Sequence, residues 1–394
     1  MAPPYGKLSL GGKICRFSSA NGKHTAWQKG VPMSRIALID ADLLDGGTRF
    51  PNLALMKISG YTGGTLVESY EGFDPADWDE VYVSKVFDFT RIPDGILEAP
   101  NIHAGGTGFY FADAAPLPSE IEHCMPNYHL YDSYIANDTR HLKQKTYWDD
   151  YRYCSIGFAT RGCFRQCPFC VNQRYRKVEF HSHVSEWLDP ERKYICLLDD
   201  NILGYSGWRD VFGELEDTGK PFIFKQGMDM RLMSAEKAQA LALSHYRGDF
   251  VFAFDNLSEA KEIDEKLTIW REFCSRKTRF YVLSGFEGQD GEEIDGIFQR
   301  IAILSDHKCS PYIMRHKNYL GTSYEGMFVQ LARWANQPQM IMKKTFREFV
   351  ESCQAMVKTD GFVSAPMRAM IAFEEDYPEI AARWFDRRFG FTLT

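Results

Sequence analysis

Between residues 151 and 316 the chain repeats one pattern, a short apolar run that reads as a strand followed by a longer stretch with helical character. The runs are Cys154–Thr160, Tyr194–Asp199, Pro221–Lys225, Phe250–Phe254, Arg279–Ser284 and Pro311–Arg315. Helical patterns fall between them at Ser234–His245, Ser258–Ser275 and Glu292–Ser305. About 25 to 40 residues separate successive runs, enough for a right-handed crossover that carries a helix, and alternation of this kind gives a parallel sheet with helices outside it. Polar residues that directly follow the runs are then the ones with access to a site.

The flanking segments read differently. Residues 1–32 are rich in Gly, Lys and Ser without steady periodicity and read as an extension. Residues 33–149 alternate strand-like and helix-like pieces, Arg35–Asp40, Pro51–Gly60, Thr65–Tyr70 and Glu80–Phe87, which is the rhythm of an open, Rossmann-like α/β sheet. This segment ends in a glycine-rich loop, Gly105–Gly108, whose glycines serve either a close ligand approach or a sharp turn. Beyond residue 317 the pattern is helical: Met327, Phe328, Leu331 and Trp334 form one stripe, and Thr345-Phe346-Arg347-Glu348 reads as a capping box opening a second stripe of Phe346, Phe349, Val350 and Cys353. The expected organisation is therefore an α/β domain over 33–149, a strand–helix domain over 150–317 and a helical layer over 318–394.

The strongest chemical signal follows the first strand of the repeat. Cys163, Cys167 and Cys170 stand in a C-x3-C-x2-C loop, with Phe169 just before the last of them. A cluster of four irons has one more iron than this loop has thiolates, so three cysteines leave one iron open for a ligand that is not protein. A structural zinc is the alternative, with Cys154 or His181 as a fourth ligand, although the paired C-x2-C spacing common in zinc sites does not occur.

This loop resembles the signature of the radical SAM enzymes. The resemblance implies a partial (β/α)6 barrel over about residues 150–317 and a [4Fe-4S] cluster on Cys163, Cys167 and Cys170. It also implies S-adenosylmethionine on the open iron, cleaved reductively to methionine and a 5′-deoxyadenosyl radical that removes a hydrogen atom from the substrate. Phe169 would offer backbone contacts to the adenine. Asp199-Asp200-Asn201, after the second strand, stands where family members carry a motif for the SAM amino group, usually Gly-Gly-Glu. Gln226 or Asp229 would meet ribose hydroxyls, and Arg231 would suit a carboxylate because its planar fork makes two hydrogen bonds. Asp255, Gly285 and Arg315 follow later strands and are further candidates for the cofactor, each equally readable as a structural residue. An external electron donor such as flavodoxin or ferredoxin is implied as partner.

Residues 33–149 loosely resemble the cobalamin-binding domain that precedes many radical SAM cores. The motif D-x-H-x-x-G of that domain occurs only as Asn101-x-His103-x-x-Gly106, displaced from its usual place. The segment is also short, so the expectation is that cobalamin is not retained.

Composition bounds the function classes. The 394-residue chain carries a net charge of −7, which argues against a general nucleic-acid or anionic-membrane binder. Arg161, Arg165, Arg174, Arg176 and Lys177 nevertheless surround the cysteine loop, either to raise a cluster's potential and attract a reducing protein or an anionic substrate, or as a solvated basic surface. Ten cysteines without a disulfide framework, and no apolar run of about twenty residues, fit a reducing compartment, with the cytoplasm as the expected location. No nucleic-acid-binding module is recognisable. The leading expectation is a radical SAM enzyme acting on an unidentified substrate; the alternatives are a cobalamin-dependent radical SAM methyltransferase and a non-catalytic iron–sulfur or zinc scaffold.

Overall fold

The computed structural model describes residues 34–391 apart from 358 and 360, so the extension over 1–32 lies outside the described residues. The protein is an α/β molecule built on parallel strands. The first sheet has the order β2-β1-β3-β4, with β1 at Ile36–Asp40, β2 at Thr65–Leu66, β3 at Glu80–Ser84 and β4 at Ile102–Gly105. All its pairs are parallel. β1 and β3 are buried because Ala37, Leu38, Ile39, Val81 and Val83 supply apolar side chains to both faces, as a doubly covered parallel sheet requires.

Two sequence expectations change in this sheet. Thr65–Tyr70 gives only a two-residue strand, since the chain leaves the ladder after Leu66. Residues 102–105, at the head of the glycine-rich segment, form the edge strand β4, with Tyr82 opposite His103 and Ser84 opposite Gly105. Gly106 and Gly108 are needed to turn the chain back against β3. A Cβ on Gly106, at φ +100°, would sit 2.2 Å from the Lys85 carbonyl oxygen, and one on Gly108 would sit 2.6 Å from that of Phe87.

The second set of strands comprises β5 (Cys154–Gly157), β6 (Thr160–Arg161), β7 (Glu179–Phe180), β8 (Tyr194–Leu197), β9 (Phe222–Phe224), β10 (Met228–Asp229), β11 (Phe250–Ala253), β12 (Thr278–Ser284) and β13 (Ser310–Arg315). The long strands pair in chain order and in parallel, as β5-β8-β9 and as β11-β12-β13, with β10 at the edge of the second group. A parallel bridge from Phe222 to Tyr246 extends the first group. The crossovers after β8 hold the helices Trp208–Asp217, Ala235–Leu243, Ala260–Phe273 and Gly291–Asp306, whereas the connection from β5 to β8, expected to carry a helix, is spent on the cysteine segment and a 3-10 turn at Val184–Glu186. In the third of these the buried residues are Ile263, Leu267 and Trp270, spaced i, i+4, i+7 on one face.

Those faces meet Phe222, Phe224, Phe250, Phe252 and Phe280, all essentially inaccessible, in a core that also takes in Met327, Phe328, Leu331, Trp334, Phe346 and Phe349 from the C-terminal helices. Burying each such side chain contributes roughly 1.5–3 kcal/mol. The capping box at Thr345 and Glu348 forms as the sequence indicates. Residues 35 onward form one compact unit. Within it Tyr128 links the layers, its hydroxyl donating to the Trp187 carbonyl at 2.6 Å and accepting from the Ile156 amide at 2.9 Å. Among the described residues no helix is long and apolar enough to cross a membrane.

Candidate functional site

The run Cys154–Thr160 does not continue as one strand. β5 stops at Gly157, and Thr160–Arg161 turns to pair antiparallel with Glu179–Phe180. This short clasp closes the base of the segment that carries Cys163, Cys167 and Cys170. Gly162 begins the loop at φ +94°, and a Cβ there would lie 2.5 Å from the Lys177 carbonyl oxygen, so glycine is required where the two arms approach.

The residues after β8 fix this segment in place. Asp199, 2% exposed, accepts from the Ala159 amide at 3.2 Å and from the Thr160 amide and hydroxyl at 2.6 Å each. Burial raises its carboxyl to about 6. Asp200 accepts from the Gly162 amide and from Asn172 Nδ2, both at 2.7 Å, and so ties the two ends of the cysteine loop together. Asn201 is 3% exposed and donates from Nδ2 to Cys163 Sγ at 3.3 Å. Its Oδ1 is one of two buried side-chain polar atoms without a partner among the described residues, the other being Tyr70 Oη in the first sheet. A buried acceptor left unpaired costs about 1–3 kcal/mol, which makes Asn201 Oδ1 a position awaiting a donor.

The three thiols are half-buried and lie within electrostatic reach of one another. Burial and then Cys170 push the Cys167 thiol up to about 11, and burial raises Cys170 as well. Cys167 and Cys170 therefore remain protonated at neutral pH unless a cation compensates the thiolate. The Arg165 and Asn172 amides point to Cys163 Sγ and Cys170 Sγ, both at 3.4 Å. Such amide contacts stabilise bound thiolates and tune a cluster.

Asp229, at the end of β10, receives Arg165 Nε at 2.6 Å and Arg231 Nε at 2.7 Å. Arg231 also pairs with Glu259. The sequence candidates Asp229 and Arg231 are thus joined to the cysteine loop through Arg165, and the Arg231 fork is already engaged by two carboxylates. Asp255, after β11, lies within reach of Cys167 and Cys170, and burial raises it to about 6 with a further push from Glu259. The ring of Phe169 meets Phe286 edge-on at 5.5 Å, and Phe286 meets His316 at 4.7 Å. Gly285, just before Phe286, sits at φ +69° and donates its amide to Glu293 at 3.3 Å, while a Cβ there would strike Tyr319 at 2.9 Å. Gln226 is exposed after β9.

Arg315 stands apart from this group. Its guanidinium donates to Tyr319 Oη at 2.8 Å and lines a groove of about 430 Å³ with Tyr312, Arg333 and Asn336. No cysteine-loop residue lines that groove, and Asn336 within it pairs with both backbone groups of Ile313 on the edge strand, so we read it as a sheet-edge feature.

Arg300 is a residue the sequence reading missed. It is 1% exposed, and its Nη1 donates to the carbonyl oxygens of Phe254 at 3.3 Å, Asp255 at 2.9 Å and Leu283 at 2.8 Å. Glu293 accepts from both Arg300 Nη2 and the Gly285 amide. One buried guanidinium therefore fixes the ends of β11 and β12, where Asp255 and Gly285 lie. A signal was present, because Arg300 falls three residues after Ile297 and four before Leu304, on the apolar stripe of its helix.

In the first sheet the displaced motif is engaged by its own neighbours. Asn101 donates to the carbonyls of Pro75 at 2.9 Å and Trp78 at 2.8 Å, while His103 pairs with Glu80 and stacks on Tyr82. No family model matches the chain, and no curated protein matches it.

Proposed function

We propose that the protein is a radical SAM enzyme whose cluster loop is Cys163, Cys167 and Cys170, and that its second set of strands acts as a partial barrel receiving the cofactor at their carboxyl ends. The observation that carries this reading is the buried, unpaired Asn201 Oδ1 beside Cys163. Three thiols with one neighbouring acceptor match a cluster with an open iron and a ligand that brings an ammonium-like donor. Parallel pairing in chain order within β5-β8-β9 and within β10-β11-β12-β13 supports the barrel reading.

In this reading the three cysteines hold a [4Fe-4S] cluster, and Asn201 accepts from the SAM amino group. When bound, the cluster supplies the electron that cleaves SAM to methionine and a carbon radical able to take a hydrogen atom from substrate. The chain's own residues set the frame for that chemistry. Asp199 and Asp200 fix the loop, Arg165 ties it to Asp229, and Arg231 acts through Asp229 as a positioning residue. Phe169, Phe286 and His316 form an aromatic wall suited to an adenine face, and Gln226 is free to meet a ribose hydroxyl. Asp255 carries its proton below about pH 6 and adds negative charge beside Cys167 and Cys170 above it. Cobalamin is left out of the proposal, because Asn101, His103 and Gly106 are committed to neighbours in the first sheet.

The test is product formation. Anaerobically reconstituted, reduced protein given SAM should form 5′-deoxyadenosine and methionine, and the variant with Cys163, Cys167 and Cys170 replaced by Ala should form neither. Iron-loaded, reduced protein that leaves SAM intact would overturn the reading.

A further inference from the structure

A second group of ligating side chains lies apart from the cysteine loop. Among the described residues, Asp150, Cys154 and Cys196 form a set whose donor atoms all lie within 4.8 Å of one another. Cys154 Sγ is 2.6 Å from Cys196 Sγ and 3.4 Å from Asp150 Oδ1. Both cysteines are wholly inaccessible, on adjacent strands β5 and β8, and they pack with Leu53 and Ile156.

The sheet register decides what such a pair can do. Cys154 lies opposite Tyr194 and Ile156 opposite Cys196, so the two cysteines are offset by two residues along neighbouring strands. With strands about 4.8 Å apart and about 3.3 Å of rise per residue, their Cα atoms are about 8 Å apart. That exceeds the roughly 7 Å beyond which a disulfide needs backbone movement. An ion between the sulfurs spans the diagonal without moving the ladder. Around zinc bound at about 2.3 Å the sulfurs would part to about 3.8 Å, a change within reach of side-chain rotation.

Charge points the same way. Asp150 Oδ2 is 2.5 Å from Lys225 Nζ, which leaves Oδ1 toward Cys154, and Arg247 Nη1 approaches Oδ1 at 3.8 Å. Two thiolates and one carboxylate carry three negative charges, which a divalent ion and Lys225 balance, with Arg247 at the rim.

We propose that Asp150, Cys154 and Cys196 bind one thiophilic divalent cation of the zinc class, at a site separate from the cluster loop and independent of its function. Two sulfurs and one oxygen suit zinc, and three protein donors leave one position for water. Binding replaces the two thiol protons, which leave to solvent, and involves no change of oxidation state. Lys225, through its contact with Asp150, is a positioning residue.

The test uses the full chain with Cys163, Cys167 and Cys170 replaced by Ala, so that the loop contributes no metal. Expressed with zinc and dialysed, it should retain one zinc per chain. Adding Cys154→Ala should remove that zinc, and Lys225→Met should weaken it by about 10- to 100-fold in chelator competition, the range for residues that orient ligands. Cobalt in place of zinc should give thiolate-to-metal absorption that Cys154→Ala abolishes. Should the loop variant fail to fold, the intact chain compared with its own Cys154→Ala form should differ by one zinc. Folded protein with no retained zinc, zinc unaffected by Cys154→Ala, or a Cys154–Cys196 disulfide found by mass spectrometry would each overturn the proposal.

Discussion

Asn201 shows how a single side chain can report on a ligand. Its amide nitrogen is used and its oxygen is buried and unpaired, an arrangement that costs the fold unless something bound repays it. Asn201→Leu should therefore leave stability unchanged or slightly higher while weakening SAM binding by roughly 1–3 kcal/mol. Equal losses in melting temperature and affinity would assign Asn201 a purely structural role. Asp40 gives a second test at this scale. It is 1% exposed, accepts from Tyr131 Oη at 2.9 Å, and burial raises it from 3.8 to about 7. The folded state favours its protonated form, so its contribution is complete below about pH 3.8 and is lost as pH rises through about 7. Asp40→Asn should flatten the fall in unfolding free energy over that window by up to a few kcal/mol. Parallel urea-unfolding profiles for the two proteins would contradict this.

The elements around the site are held by few, specific contacts. The cysteine loop depends on Asp200, whose two hydrogen bonds at 2.7 Å join Gly162 to Asn172. Asp200→Ala should loosen the loop by about 1.5–3 kcal/mol, the range for bonds to a charged acceptor. Faster proteolysis between residues 162 and 178, together with loss of iron on gel filtration, is the expected result, and unchanged iron retention would show that the clasp of β6 and β7 suffices. In the first sheet, Gly106→Ala would place a methyl group 2.2 Å from the Lys85 oxygen at a φ of +100°. A drop in melting temperature of several degrees is expected whether or not any ligand is present, and an unchanged melting temperature would mean that the turn after β4 is not packed against β3.

At the scale of the molecule, the parallel α/β character was legible because the apolar runs and amphipathic stretches alternate from Tyr194 to Arg315, whereas between β5 and β8 the chain forms the β6–β7 clasp and a short 3-10 turn in place of an α-helix. The cysteine spacing located the loop. Hydrophobic periodicity could not show that Thr160–Arg161 leaves the sheet to pair with Glu179–Phe180, since two-residue ladders carry almost no pattern. It could not separate the neighbours Asp199, Asp200 and Asn201 either: the first two bind amides and side chains of the cysteine segment and the third faces a thiol, a division set by strand direction and loop path. The pairing of Asp150 with Cys154 and Cys196 was hidden for another reason. Residues 42 positions apart meet only once the register of β5 and β8 is known.

The account rests on the loop thiols holding an iron cluster with one iron open to SAM, and electron paramagnetic resonance of the anaerobically reconstituted, reduced protein tests this most directly. The spectrum of a reduced four-iron cluster, at about four irons in the loop, should change shape on adding SAM and vanish when Cys163, Cys167 and Cys170 are replaced by Ala. A reduced cluster spectrum that SAM leaves unchanged, or a loop that holds zinc under anaerobic purification, would contradict it.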